Sequence, residues 1–80
     1  MNGWLRCRLD VGMFSDEIAV TYPPTNPHWQ KSVFVPRIHV RERNGLVHVH
    51  IVNKDGERYA VLPSPRRDIV RFEEADLVQQ

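Results

Sequence analysis

Apolar and polar residues alternate with a period of two along most of this chain, the mark of half-buried β-strands. The stretch Phe34–Leu62, FVPRIHVRERNGLVHVHIVNKDGERYAVL, holds three such runs separated by Asn44-Gly45 and Lys54-Asp55-Gly56. It predicts a central three-stranded meander over residues 33–62. Upstream, Trp4 to Leu9 alternates, with Leu5, Cys7 and Leu9 on one side and Trp4, Arg6 and Arg8 on the other. Asp10-Val11-Gly12 breaks that run, a loop follows through Asp16, and Glu17 to Tyr22 resumes it with Ile18, Val20 and Tyr22 on one face. Prolines at 23, 24 and 27 deny the next stretch both helix and central strand, so PPTNPHWQK reads as a loop carrying Trp29. Ser32 to Arg43 reads as one long strand, with Pro36 at an edge position or bulge. Pro63-Ser64-Pro65 ends the meander, Ile69 to Phe72 is a short strand, and Glu73 to Val78 a final short element. No segment has the spacing of an amphipathic helix. The expectation is an all-β domain spanning 1–80.

Turn chemistry sets the expected register. Asn44-Gly45 as a two-residue turn pairs Arg43 with Leu46, Arg41 with His48 and His39 with His50. Ile38, Val40, Val47, Val49 and Ile51 then share the core face. A three-residue Lys54-Asp55-Gly56 loop brings Tyr59 opposite Ile51 and Val61 opposite Val49, keeping that face apolar. A two-residue Asp55-Gly56 turn would set Tyr59 beside Val52, and a one-residue slip of this kind exchanges the faces.

Composition narrows the class. Eighty residues make one domain with a thin core, for which self-association is a natural support. A formal charge of +1 leaves the question of an anionic partner to the distribution of charge, and the central hairpin is locally basic. The single cysteine excludes an internal disulfide or a cysteine zinc cluster. Without an apolar leader, a membrane-spanning run or a glycosylation site, the expectation is a cytoplasmic protein with no membrane role.

Five or six short strands, a long irregular loop after the first, tight central hairpins and a proline-marked turn before the last strand resemble the SH3-like small barrel. The ending Ile69-Val70-Arg71-Phe72-Glu73-Glu74-Ala75-Asp76-Leu77-Val78 is similar to the closing strand of many bacterial SH3-like domains. An OB-like barrel is the alternative. The resemblance implies an interaction module, although the first loop, DVGMFSDE, lacks the tyrosine motif and paired tryptophans that read proline-rich peptides.

The candidate chemistry lies on the central hairpin. Arg37, His39, Arg41, Arg43, His48 and His50 are expected on one face of two adjacent strands, at cross-strand separations of about 5 Å. Cations so close invite an anion, either an acidic protein partner or a phosphate backbone; the plainer reading is a solvated face neutralised by neighbouring carboxylates. His39, His48 and His50 have the spacing of an open zinc site, but the flanking arginines oppose a cation and no orienting carboxylate is evident, so no metal or cofactor is expected. Trp29 is either a contact residue or a cap on the barrel end. Cys7 reads as a core residue, and no catalytic motif is present. The expected function is therefore non-catalytic binding of a protein partner, or of a second copy, through the Arg/His face and the Trp29 loop. Nucleic acid on the same arginines is the alternative, and no small-molecule substrate is evident.

Overall fold

The computed structural model describes residues 1–25 and 30–78. It is all-β and antiparallel. Strands β1 (Asn2–Arg6), β6 (Leu46–Lys54), β7 (Glu57–Val61), β8 (Ile69–Arg71) and β9 (Leu77–Val78) form one sheet in the order β8-β7-β6-β1-β9, and the short β5 (Val40–Arg41) also pairs with β6. Strands β2 (Arg8–Val11), β3 (Glu17–Tyr22) and β4 (Lys31–Pro36) form a second sheet in the order β2-β3-β4. We call these sheets A and B. The ladders of the described residues do not close into a single barrel. The central meander β5-β6-β7 is present, with its first strand reduced to two residues.

Two expected strands each divide between the sheets. The run Trp4–Leu9 breaks at Cys7, whose N–H leaves the ladder and donates to the Gly45 carbonyl at 3.0 Å. Leu5 and Cys7 stay buried and Leu9 packs on the core, so the predicted facing survives the break. The expected strand Ser32–Arg43 ends at Pro36, which leads into a 3₁₀ turn over Arg37–His39. Proline fixes its own φ and has no N–H for a ladder; at the turn, the Arg37 N–H donates instead to the Asp16 carbonyl at 2.8 Å. The turn carries Ile38 out of the core, leaving it 84 % exposed where the alternation placed it inside.

Both central hairpins depart from the expected register. Arg41 pairs with Leu46 and Val40 with Val47, so the loop is Glu42–Gly45 and not Asn44-Gly45 alone. The Asn44 N–H bonds to the Arg41 carbonyl at 3.1 Å, and Gly45 follows with φ +64°. This is a turn closed by a left-handed glycine. The two-residue displacement leaves Val40 and Arg41 on their predicted faces. At the other hairpin, Lys54 pairs with Glu57 across a two-residue Asp55-Gly56 turn with φ of +53° and +80°. Left-handed dihedrals at both central positions match the natural twist of the strands, which favours this turn over the longer loop. The one-residue slip exchanges the faces of β7. Ala60 and Leu62 enter the core, while Tyr59 and Val61 turn outward and Tyr59 donates to Glu57 Oε2 at 2.7 Å.

The core lies between the sheets. Leu5, Val47, Val49 and Leu62 of the sheet A side meet Val20 and Val35 of sheet B, all at most 1 % exposed. Buried Tyr22 reaches past them, donating to Asp76 Oδ2 at 2.9 Å and accepting the Glu73 N–H at 2.9 Å. This contact fixes the 3₁₀ turn Glu74–Asp76 that leads into β9.

Candidate binding face

One end of the outer face of sheet A takes its side chains from β1, β5, β6 and the 3₁₀ turn before β5. Because β1 pairs with β6 at Trp4↔His48, the tryptophan stands directly beside a histidine. The Arg41 guanidinium lies over the Trp4 ring at 4.2 Å from its centroid. The His48 ring is 5.1 Å from Trp4 at 50°, and His39 lies 6.5 Å beyond His48 with planes 20° apart. Arg41, Trp4, His48 and His39 thus make one continuous row of cationic and aromatic groups. A guanidinium held over an indole at this range contributes about 0.5–1 kcal/mol at an exposed site, so the row is held in place by its own contacts.

The remaining predicted residues are divided. Arg37 leaves the face: its Nε donates to the Ser15 carbonyl at 3.0 Å and its Nη1 to Glu42 Oε1 at 2.6 Å, binding the 3₁₀ turn to neighbouring loops. Arg43 is exposed in the Glu42–Gly45 loop. His50 is exposed on the same face, its Nδ1 3.2 Å from Asn2 Oδ1; an amide oxygen only accepts, so Nδ1 donates. Trp29 lies outside the described residues. Among the described residues no three histidine, cysteine or carboxylate side chains are placed to hold a metal ion. The expected pairing of His39 with His50 does not form, because the chain at His39 has left the strand and its ring stacks on His48.

Beyond His39 and His48 the face deepens into a groove of about 360 Å³. His39, His48 and His50 form one side, and Pro63, Ser64 and Arg67 from the turn after β7 form the other. Ser64 Oγ donates to Asp68 Oδ2 at 2.6 Å and accepts the Asp68 N–H at 3.0 Å, and Lys31 Nζ lies 3.1 Å from Asp68 Oδ1. The Ser64 hydroxyl and the Lys31 ammonium hold the Asp68 carboxyl below the usual carboxylate range. Cys7 takes no part in the face: it is buried, and desolvation pushes its thiol up to about 12.

A second surface is apolar. Val11, Met13, Phe14 and Ile38 are between 67 % and 88 % exposed. Their loop is ordered by Glu17, whose Oε1 accepts the N–H groups of Met13 at 3.0 Å and Phe14 at 3.3 Å. The Arg37 contacts to Ser15 and Asp16 place the turn bearing Ile38 against the same loop. Sequence reasoning left this surface out, although two large apolar residues in the loop GMFSDE were a signal for it. Trp4 was likewise unassigned, and its alternation with Arg6 was the clue.

No helix among the described residues is long and apolar enough to cross a membrane. Compared with known protein families, curated proteins and solved structures, the chain matches none of them.

Proposed function

We propose that this chain is a non-catalytic interaction module, working in the cytoplasm, that binds a protein partner across the junction of its two surfaces. The observation that carries this reading is the position of the turn Arg37–His39. His39 ends the cationic–aromatic row, and its neighbour Ile38 stands 84 % exposed beside the Met13-Phe14 loop. Large apolar side chains bordered by arginine and tryptophan are the composition of a protein contact surface. The partner that fits presents apolar side chains flanked by carboxylates, and a second copy of this chain is the simplest case.

Nucleic acid is the second reading, favoured by Trp4, which adds an aromatic to the arginine face. It gives no role to Val11, Met13, Phe14 or Ile38. Sedimentation and partner capture with wild type and the Ile38→Asp variant, at low and moderate salt, separate the two. Loss of association in Ile38→Asp with little salt dependence is expected. Association untouched by Ile38→Asp, steeply salt-dependent and lost in Arg41→Glu, would overturn the protein reading in favour of nucleic acid.

A further inference from the structure

We propose that the groove between the histidines of sheet A and the turn Ser64–Arg67 is a binding site for a phosphate monoester. The site shares His39 and His48 with the row above but does not rest on the protein-partner reading. Three features carry it.

The groove carries a cation and no carboxylate. Three imidazoles and one guanidinium border it, and no carboxylate appears among its lining residues. The Arg67 guanidinium therefore meets no negative charge among the groove's lining residues, and an entering anion would supply one. The nearest carboxylate, Asp68, is occupied by the Ser64 hydroxyl and the Lys31 ammonium, so its charge is already met.

The arginine is presented and not consumed. Among the described residues Arg67 has no ion-pair partner, although five of the other cations do. Its backbone sits at φ +52°, a conformation that a long side chain rarely adopts. The turn that imposes it is tied down by the Arg67 N–H to the Ser64 carbonyl at 2.9 Å and by the Leu62 N–H to the Asp68 carbonyl at 2.8 Å. A strained arginine on a tied-down turn, lining the same groove as three histidines, is an arrangement that function explains better than stability does.

The dimensions fit a small ligand and not the ion alone. About 360 Å³ lies near the lower end of small-ligand sites, which run from roughly 300 to 1,000 Å³. Arginine grips phosphate oxygens through paired N–H groups, and imidazole N–H groups opposite can take the remaining oxygens. The apolar Pro63 and Val61 of the lining leave room for the carbon that bears the phosphate.

The test is a titration followed by amide and imidazole NMR shifts, using inorganic phosphate with sodium chloride at matched ionic strength as comparison. Saturable shifts at His39, His48, His50 and Arg67 are expected with phosphate alone. Arg67→Asn removes the cation while suiting the left-handed backbone, since asparagine tolerates that region. It is expected to melt no lower than wild type and to bind phosphate about tenfold more weakly. Shifts reproduced by chloride, or equal phosphate affinity in Arg67→Asn, would overturn the site. Phosphoserine and adenosine monophosphate then identify the source: tighter binding of the first supports a site for a phosphoprotein, and of the second a nucleotide site. Failure of the phosphate titration leaves the Ile38 surface standing, because that surface is read by association and not by these shifts.

Discussion

On β7 and β8, Arg58 reaches Glu74 at 2.7 Å and Arg71 reaches Glu57 at 3.2 Å, whereas Arg6 and Arg43, bordering the outer face of sheet A, meet no carboxylate among the described residues. The same residue type is used in two ways. Beside the C-terminal segment, arginine is structural: Arg58 also lies 5.7 Å from the Phe72 ring, and Tyr22 ties Asp76 and Glu73 to the core nearby. At the other region Arg6 and Arg43 are left open to solvent and to whatever binds there. A formal charge of +1 conceals this division, because the carboxylates are spent unevenly across the molecule.

The contrast can be broken most forcefully at Tyr22. Tyr22→Phe deletes both hydroxyl contacts and leaves the Glu73 N–H and the Asp76 carboxylate short of a partner, so a loss of about 2 kcal/mol in urea unfolding is expected. A loss within measurement error would show that the C-terminal segment is not held there. Arg58→Gln should cost about 1 kcal/mol, since its ion pair is partly exposed and much of its worth lies in packing on Phe72. In the same assay Arg6→Gln and Arg43→Gln should stay within about 0.5 kcal/mol of wild type, while weakening partner binding several-fold. If they destabilise as much as Arg58→Gln, the division between structural and open arginines is wrong.

Acid sharpens the comparison in a subtler way. The folded Asp68 carboxyl sits below its ordinary range because of the Ser64 hydroxyl and Lys31. Its contribution is therefore present above the ordinary carboxylate range and is lost as pH falls through the lowered folded value. Melting temperature against pH should fall less steeply on the acid side in Asp68→Asn than in wild type. Parallel curves would remove Asp68 from the acid response.

Much of the fold was legible because alternation is a local signal. The strand Glu17–Tyr22 has the predicted bounds, and the face shared by Leu5 and Cys7 is buried as expected. What was hidden depends on contacts far along the chain. The break at Cys7 requires the Gly45 carbonyl, thirty-eight positions away. The break after Pro36 requires the Asp16 carbonyl. The alternation favours a register with Tyr59 in the core, whereas its hydroxyl finds Glu57 outside and small Ala60 fills the inner position. Four of the six side chains expected on the face, His39, Arg41, His48 and His50, stand on it for a related reason. A two-residue displacement at the first hairpin preserves facing, so Arg41 and His48 remained on the face, while Arg37 and Ile38 were turned away by a 3₁₀ bend that alternation does not encode.

Two threads of chain pass from one sheet to the other, at Cys7 and at Pro36–His39. A sandwich stitched in this way has its two layers coupled through the chain itself. Peeling β2 or β4 from sheet B pulls directly on β1 or β5 in sheet A, so neither layer can open as an independent leaf. Cut between Arg6 and Arg8, the chain would keep sheet B whole and strip β1 from sheet A, so the short piece would have to find its place again between β6 and β9.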